Sequence, residues 1–216
     1  SALFCKGSHL NKFAIPYLYH NSYIWIPRME KDFKQVPSNL LKVVIYGPES
    51  TGKTTLARQL ASHYQTTLVE EFARDYLQKK WDKKKEVCSR ADLPIIVAGQ
   101  IQLENEATTK AKQILICDTN VVVTRVWSET HFESYCDPQI TASSIQFHYD
   151  LYLLTGIDVP WQKDDLRDRP NDRQMMFDYF KNTLDQLGEN YAILRGNQEQ
   201  RLRKAINTIN KLLKKT

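Results

Sequence analysis

Clustered cysteines, long apolar runs and glycine-rich repeats are all missing from this 216-residue chain. Its four cysteines are scattered and form no CxxC pair, which argues against a disulfide framework and against a zinc site. No run approaches the roughly 18 consecutive apolar residues that a membrane-spanning helix needs, so no membrane association is expected. Seven glycines and eight prolines are too few for collagen-like or low-complexity architecture. These absences leave a globular chain in a reducing compartment, and we expect that compartment to be the cytoplasm.

The chain has little excess charge, with a net +5 and an isoelectric point near 8.9. This sign permits an acidic partner, either a nucleic acid or a phosphorylated small molecule. A run of lysines forms the most basic segment: Lys79, Lys80, Lys83, Lys84 and Lys85. A solvated helix end explains this run better than nucleic-acid contact does. Nucleic acid is therefore not an expected partner, and the sequence leaves the oligomeric state open.

The first 39 residues show no regular pattern and are interpreted as an N-terminal extension. Residues 1–28 are rich in aromatic residues and prolines. They are either an appended segment or an arm that packs on the domain through Tyr17, Tyr19, Tyr23 and Trp25. Residues 40–216 are expected to form one domain.

From residue 40 onward, short apolar segments alternate with helical patterns. Strands are expected at 41–46, 66–70, 114–117, 149–154 and 191–194. Helices are expected at 53–64, 71–80, 92–112, 172–187 and 198–213, with one or two more within 120–147. A charged loop is expected at about 160–173. Five apolar strands, each followed by a helix, predict a parallel sheet covered on both faces, which is a three-layer α/β sandwich.

The strongest motif lies directly after the first strand. It reads Gly47-Pro48-Glu49-Ser50-Thr51-Gly52-Lys53-Thr54, with Thr55 following, and matches the P-loop pattern G-x-x-x-x-G-K-[ST]. Backbone amides of such a loop surround a phosphate, and the helix that follows directs its positive end at the same anion. We expect this loop to bind ATP, with Lys53 at the β- and γ-phosphates and the Thr54 hydroxyl on Mg²⁺.

A carboxylate follows the third strand, where a P-loop protein requires a partner for the metal. Asp118 ends the segment Ile-Leu-Ile-Cys and is predicted to hold Mg²⁺ directly or through water. The alternative is that Asp118 caps the next helix, because aspartate is a common N-cap residue.

Two acids, Glu70 and Glu71, close the second strand, and Arg74 follows one turn later. The carboxyl ends of parallel strands line the ligand crevice, so these residues are candidates for substrate binding. One carboxylate is expected to accept or orient the proton of an attacking hydroxyl. The strand register decides which of the two faces inward, and the sequence leaves that choice open.

The charged segment 160–173 contains three arginines, Arg167, Arg169 and Arg173. Guanidinium groups in a lid stabilise charge on a transferring phosphoryl group, so Arg167 and Arg169 are predicted to be catalytic. The alternative is a solvated loop with internal ion pairs. Several aromatic side chains, Trp127 above all, are candidates to stack on a flat base, although core packing is their more common role.

Four segments together resemble the nicotinamide riboside kinase domain of NadR-type proteins: GPESTGKTT from Gly47, VEEFARDYL from Val69, ICDT from Ile116 and WQKDDLRDRP from Trp161. The resemblance implies a nucleoside-kinase-like P-loop fold and phosphorylation of the 5′-hydroxyl of nicotinamide riboside by Mg²⁺ and ATP. It implies that Glu71 and Arg74 lie at the substrate ribose, and that Lys53 and Thr54 bind phosphate and metal. It also assigns Arg167 and Arg169 to the lid.

The sequence departs from the family pattern at one position, and alternative functions remain to be considered. An aromatic residue occupies the position of Glu70 in some members, so the acceptor could be a different nucleoside. A third reading is a regulatory ATP-binding module without transfer activity. The chain has no HxGH motif and no helix-turn-helix segment, so neither adenylyl transfer nor transcriptional regulation is expected.

Overall fold

The computed structural model describes residues 33–214 of the chain. The interpretations offered for residues 1–28, including the arm, lie outside these residues. The domain contains five strands, β1 (Leu41–Tyr46), β2 (Leu68–Val69), β3 (Ile114–Asp118), β4 (Leu151–Thr155) and β5 (Tyr191–Leu194). They form one parallel sheet in the order β2-β3-β1-β4-β5. The predicted five-stranded parallel sheet is confirmed.

Seven helices connect or follow these strands: α1 (Lys53–Tyr64), α2 (Phe72–Lys84), α3 (Leu93–Thr108), α4 (Val121–His131), α5 (Pro138–Gln146), α6 (Arg173–Leu187) and α7 (Gln198–Leu213). A short 3₁₀ turn, Arg90–Asp92, precedes α3. The bounds expected for β1, α1, β5 and α7 are those observed. The helices lie in two layers because every residue of β1, β3 and β4 is buried, so both faces of the sheet need a cover.

The alternation of side chains along β1 divides the core in two. Val43 and Ile45 face a cluster that includes buried residues of α1 and α7. Val44 and Tyr46 face the larger cluster, which includes buried residues of α3, α4 and α6. The three-layer α/β architecture follows from this alternation.

Several boundaries differ from expectation: α2 extends to Lys84, α3 ends at Thr108 and β4 spans Leu151–Thr155. The edge strand β2 is only two residues long, since it pairs with β3 alone through Leu68 and Val69. Asp92, expected as the N-cap of α3, makes no capping bond there. Its carboxylate instead accepts hydrogen bonds from Lys80 and from the backbone and hydroxyl of Ser89, all at 2.7 Å.

The segment before β1 contacts the domain at the edge remote from the P-loop. Gln35 donates from Nε2 to Glu104 Oε1 at 2.7 Å, and the Val36 amide donates to Asn105 Oδ1 at 2.8 Å. Glu104 also forms a buried ion pair with Lys42 at 3.0 Å. Residues 33–36 are thus hydrogen-bonded to α3.

Among the helices in residues 33–214, none has the length and hydropathy that crossing a membrane would require.

Candidate active site

The site lies at the carboxyl ends of the three central strands. Strand β1 runs directly into the P-loop, β3 ends at Asp118 and β4 ends at Thr155. An open cavity of about 190 Å³ occupies this edge. Its walls come from the P-loop, α2, α3, α4, α6 and the segment at 160–173. Ligands of parallel α/β proteins bind in this crevice, at the switch in strand order.

The shape of the P-loop is set by its backbone. Gly47 has a φ of +133°, and a Cβ atom there would lie 2.7 Å from Thr155 Oγ1. The Thr51 hydroxyl donates to the Pro48 carbonyl at 2.8 Å and closes the loop on itself. Glycine at position 47 is therefore required by both conformation and space.

A buried arginine supports the loop from beneath. Arg201 donates from Nη1 to the Thr51 carbonyl at 2.7 Å and from Nη2 to Asp158 Oδ1 at 2.6 Å. The sequence reasoning missed this residue. The available signal was its position: Arg201, Ala205 and Ile209 are the buried residues of α7, spaced four apart, and a cation in such a stripe requires buried partners.

Lys53 and Thr54 begin α1 at the floor of the cavity. The Lys53 ammonium lines the cavity and donates to the Pro48 carbonyl at 2.7 Å. Thr54 is half-buried, close enough to Asp118 to influence its titration. Thr55, which the motif also placed at the nucleotide, is exposed and does not line the cavity.

Asp118 is fully buried, and neither carboxylate oxygen has a hydrogen-bond partner among the described residues. Burial raises the pKa of Asp118, whereas the neighbouring Thr54 hydroxyl and Lys53 ammonium lower it. The capping role offered as an alternative is wrong, because Asn120 is the cap: its Oδ1 accepts from the Val123 amide at 3.3 Å.

Unpartnered carboxylate oxygens beside a threonine hydroxyl fit Mg²⁺, a cation that takes oxygen ligands. Within residues 33–214 no group of three or more His, Cys, Asp or Glu side chains could hold a metal. Asp118 and Thr54 would therefore share Mg²⁺ with phosphate oxygens and water, which is the usual arrangement for Mg²⁺ at phosphates.

The structure separates the two adjacent acids. Glu71 lines the cavity, and burial raises its pKa, with Lys53 opposing that rise. The Glu70 side chain is 54% exposed, does not line the cavity and pairs with Arg58 at 3.4 Å. The substrate-binding assignment of Glu70 is therefore corrected: its direction toward solvent leaves Glu71 as the acid that faces a substrate.

Arg74 and Arg167 line the cavity and share one carboxylate. Asp164 Oδ2 accepts from Arg74 Nη2 at 2.7 Å and lies 3.1 Å from Arg167 Nε. These arginines lower the pKa of Asp164, although its partial burial acts in the opposite sense. The shared carboxylate ties the charged segment at 160–173 to helix α2, so it is more than a solvated loop.

Arg169 has other partners than Arg167, and its catalytic role stays a prediction. Its Nε donates to His131 Nε2 at 3.0 Å and its Nη2 donates to the Thr130 carbonyl at 2.8 Å. These contacts hold Arg169 at the end of α4, beside a small second cavity that Glu49 and Trp161 also line. Arg169 does not line the main cavity.

Trp127 presents its indole to the main cavity and stacks on His131 behind it. The ring centroids are 3.7 Å apart and the ring planes differ by 2°. Burial and the nearby Arg169 lower the pKa of His131, which favours the neutral imidazole. Sequence reasoning missed His131, although the four-residue spacing from Trp127 places both on one face of a helix.

Glu49 was predicted only as a residue of the P-loop, yet its carboxyl is buried and has a raised pKa. It lines both cavities, and its Oε2 is buried without a hydrogen-bond partner among residues 33–214. Burial, with a contribution from Asp168, raises the pKa of Glu49 to about 7. No sequence signal distinguishes this buried carboxyl from an exposed loop acid.

The amino-acid sequence was compared with protein-family models and with characterised proteins. Residues 42–201 match the AAA domain family AAA_28. The chain is 30% identical over 125 residues to the trifunctional NAD biosynthesis/regulator protein NadR of Salmonella typhimurium, and equally so to that of Escherichia coli. The matched segment covers 58% of this chain. It covers only 30% of the length of each NadR relative.

Solved structures share the fold. A NadR protein in complex with NR superposes with a TM-score of 0.66 at 21% identity, over 80% of this chain and 51% of that chain. Thymidylate kinase from Ehrlichia chaffeensis superposes with a TM-score of 0.57 at 14% identity, over 80% of this chain and 99% of that one. The predicted nucleoside-kinase-like P-loop fold is confirmed.

Proposed function

The chain belongs to the AAA domain family, and we propose that it is an ATP-dependent kinase that phosphorylates the 5′-hydroxyl of nicotinamide riboside, giving nicotinamide mononucleotide. The observation that carries the proposal is the placement of Lys53 and Glu71 in one cavity. An anion-binding loop and a partly desolvated carboxylate thus face the same space. The 30% identity to NadR proteins supports this choice of acceptor.

The P-loop supplies the nucleotide subsite. Its backbone amides and the Lys53 ammonium would bind the β- and γ-phosphates of ATP. Asp118 and Thr54 would hold Mg²⁺, which, when bound, neutralises charge on the phosphates. Among the described residues, the Lys53 ammonium donates to the Pro48 carbonyl, and it can exchange that neutral acceptor for a charged phosphate oxygen, a stronger partner.

The transfer needs one proton acceptor and no covalent intermediate. The 5′-oxygen attacks the γ-phosphorus, and an O–P bond forms as the bond to the β–γ bridging oxygen breaks and ADP leaves. The hydroxyl proton passes to the carboxylate of Glu71. Because burial raises the pKa of Glu71, its carboxylate is a stronger base than that of an exposed glutamate.

The remaining walls position the acceptor and stabilise charge. Trp127 offers an aromatic face on which a cationic pyridinium ring can stack. Arg167 faces the loop and would spread positive charge over the transferring phosphoryl group. Arg74, fixed by Asp164, would contact the ribose side of the acceptor.

The proposal is tested by measuring ADP release with nicotinamide riboside, the common ribonucleosides and deoxynucleosides, and thymidine monophosphate. We expect turnover with nicotinamide riboside to exceed that with every other acceptor. Lys53→Ala should lose at least about 100-fold in turnover, because a charged phosphate contact in a dry site is worth several kcal/mol. Lys204→Ala, an exposed lysine on α7, is the matched control.

The other outcomes of the panel have distinct meanings. Turnover of a different nucleoside without turnover of nicotinamide riboside would reject the acceptor but keep the kinase. Tight ATP binding without transfer to any acceptor would instead identify a regulatory nucleotide-binding module.

We place the reaction in the cytoplasm, since the cysteines in the described part of the chain are free thiols.

A further inference from the structure

Gln100 is one of three polar residues on the buried face of α3, with Glu104 and Thr108. Gln100 is only 3% exposed and lies one helical turn from buried Ile96. Its Oε1 accepts from the Phe72 amide at 2.9 Å, and its Nε2 donates to the Glu70 carbonyl at 3.3 Å. A buried amide that satisfies two backbone groups is fixed in orientation, and it fixes those groups in turn.

The two backbone groups flank Glu71. The Glu70 carbonyl belongs to the peptide group before Glu71, and the Phe72 amide belongs to the one after it. Glu71 is the N-cap residue of α2, with φ −72° and ψ 105°, and its side chain makes no capping bond. The first amides of a helix lack partners within the helix, so Gln100 of α3 supplies the cap that Glu71 does not.

The residue before Gln100 strengthens the same contact. A Cβ atom on Gly99 would lie 2.3 Å from Cζ of the Phe72 ring, so the ring occupies the space that a side chain would take. Gly99 therefore receives the ring of Phe72 while Gln100 binds its amide. Between them, two adjacent residues of α3 hold the chain on the carboxyl side of Glu71.

We propose that Gln100 is a positioning residue for the reaction, one that holds the Glu71 carboxylate toward the phosphate loop by fixing both adjoining peptide groups. The inference rests on the proposed function, since it gives Glu71 the role of proton acceptor. Small misplacement of a reacting group is costly: about 1 Å can reduce a rate by 100-fold. Gln100 thus acts on the transfer step and leaves nucleotide binding alone.

The competing explanation is direct contact with the acceptor, because Gln100 also lines the cavity. The two roles predict different kinetics. A positioning residue acts on kcat at saturating acceptor. A residue that only binds the acceptor acts on its KM and leaves kcat unchanged.

The test uses Gln100→Leu, Gln100→Glu and the control Gln102→Leu, all in the full chain. Gln102 lies on the exposed face of the same helix, where its side-chain amide donates to Glu106. We expect Gln100→Leu to lower kcat by about 10- to 100-fold with the KM for ATP changed less than about two-fold. Hydrogen exchange at the Phe72 amide should accelerate in the same variant, and Gln102→Leu should match the wild type in both measurements.

Gln100→Glu gives a pH-dependent signature. The ionised carboxylate can accept from the Phe72 amide but has no proton for the Glu70 carbonyl, whereas the protonated acid restores both bonds. The ratio of Gln100→Glu to wild-type kcat should therefore rise as the pH falls from about 8 to 6, since burial raises a carboxyl pKa.

The outcomes separate the inference from the proposed function. The wild-type panel tests the proposed function, and the variant-to-wild-type ratio, measured with whichever nucleoside is turned over, tests Gln100. Wild-type kcat in Gln100→Leu, or an effect confined to the acceptor KM, would overturn the inference. A pH-independent Gln100→Glu ratio would overturn it as well, because a merely structural role would not follow the proton.

Discussion

Glu70 and Glu71 are neighbours in the chain, yet one carboxylate points to solvent and the other to the cavity. Glu70 pairs with Arg58 in solvent, and Glu71 lines the cavity with Lys53. The turn from β2 into α2 at Glu71 produces this divergence. Two acids that a sequence motif treats as equivalent candidates are thereby distinguished by geometry.

This pair supplies its own matched test. Glu71→Gln should lower kcat by about 100-fold or more, because the amide cannot accept the hydroxyl proton, while the affinity for ATP stays near that of the wild type. Glu70→Gln should change kcat by less than about two-fold, since an exposed ion pair contributes little. Steady-state kinetics on both variants make the comparison. A large loss in Glu70→Gln, with Glu71→Gln unaffected, would reverse the assignment.

Asp118 is expected to bind metal at the expense of the stability of the free protein. Asp118→Asn removes a buried charge whose oxygens have no hydrogen-bond partner among the described residues, so the melting temperature of the free variant should equal or exceed that of the wild type. Ligand at 100 times its Kd stabilises a protein by about 2.7 kcal/mol, and Asp118→Asn should lose most of that gain with MgATP. Thermal unfolding with and without MgATP measures both effects. An unreduced MgATP shift in the variant would show that Asp118 does not hold the metal.

The arginines of the 160–173 segment should differ in effect. Arg167→Gln is expected to lower kcat by about 10- to 100-fold, because Arg167 lines the cavity and its charge is lost from the transferring group. Arg169→Gln should have a smaller effect on kcat, because Arg169 is bound to His131 and Thr130 at the end of α4. Steady-state measurements of kcat for both variants, under the same conditions, test this difference. An equal or larger loss in Arg169→Gln would mean that Arg169 moves to the phosphates during turnover.

Glu49 should make stability depend on pH in a defined direction. Its pKa is about 7 in the folded protein against 4.5 ordinarily, so the folded state holds this proton more tightly between those values. Protonated Glu49 therefore contributes to the free energy of unfolding. This contribution is fully present below about pH 4.5 and is lost as the pH rises toward 7. Glu49→Gln cannot ionise, so its melting temperature relative to the wild type should be higher at pH 8 than at pH 5.

The expected size of the Glu49 effect is at most about 3 kcal/mol, since each pKa unit corresponds to 1.36 kcal/mol. Thermal or denaturant unfolding at the two pH values measures it. The matched control is Glu199→Gln, which makes the same substitution at an exposed carboxyl that pairs with Arg203. A pH-independent difference for Glu49→Gln would show that Glu49 ionises as easily in the folded chain as in the unfolded one.

Much of the fold could be read from local pattern. The bounds of β1, α1, β5 and α7 were predicted as observed, because period-2 and period-3.6 apolar patterns extend through them. The end of the helix predicted at 92–112 was wrong by four residues, since α3 stops at Thr108. Asp92 occupies the predicted N-cap position of α3, but its carboxylate binds Lys80 of a different helix and makes no capping bond.

By itself, the sequence determined the P-loop and the sheet that carries it. Glycine at position 47 and the motif around Lys53 are local requirements, since backbone conformation depends on neighbouring residues. Only the tertiary structure decided which acid faces the cavity, that Asp118 has no partner among the described residues and that Gln100 holds the backbone on both sides of Glu71. Those facts depend on contacts between segments far apart in the chain, and no local pattern records which distant groups will meet.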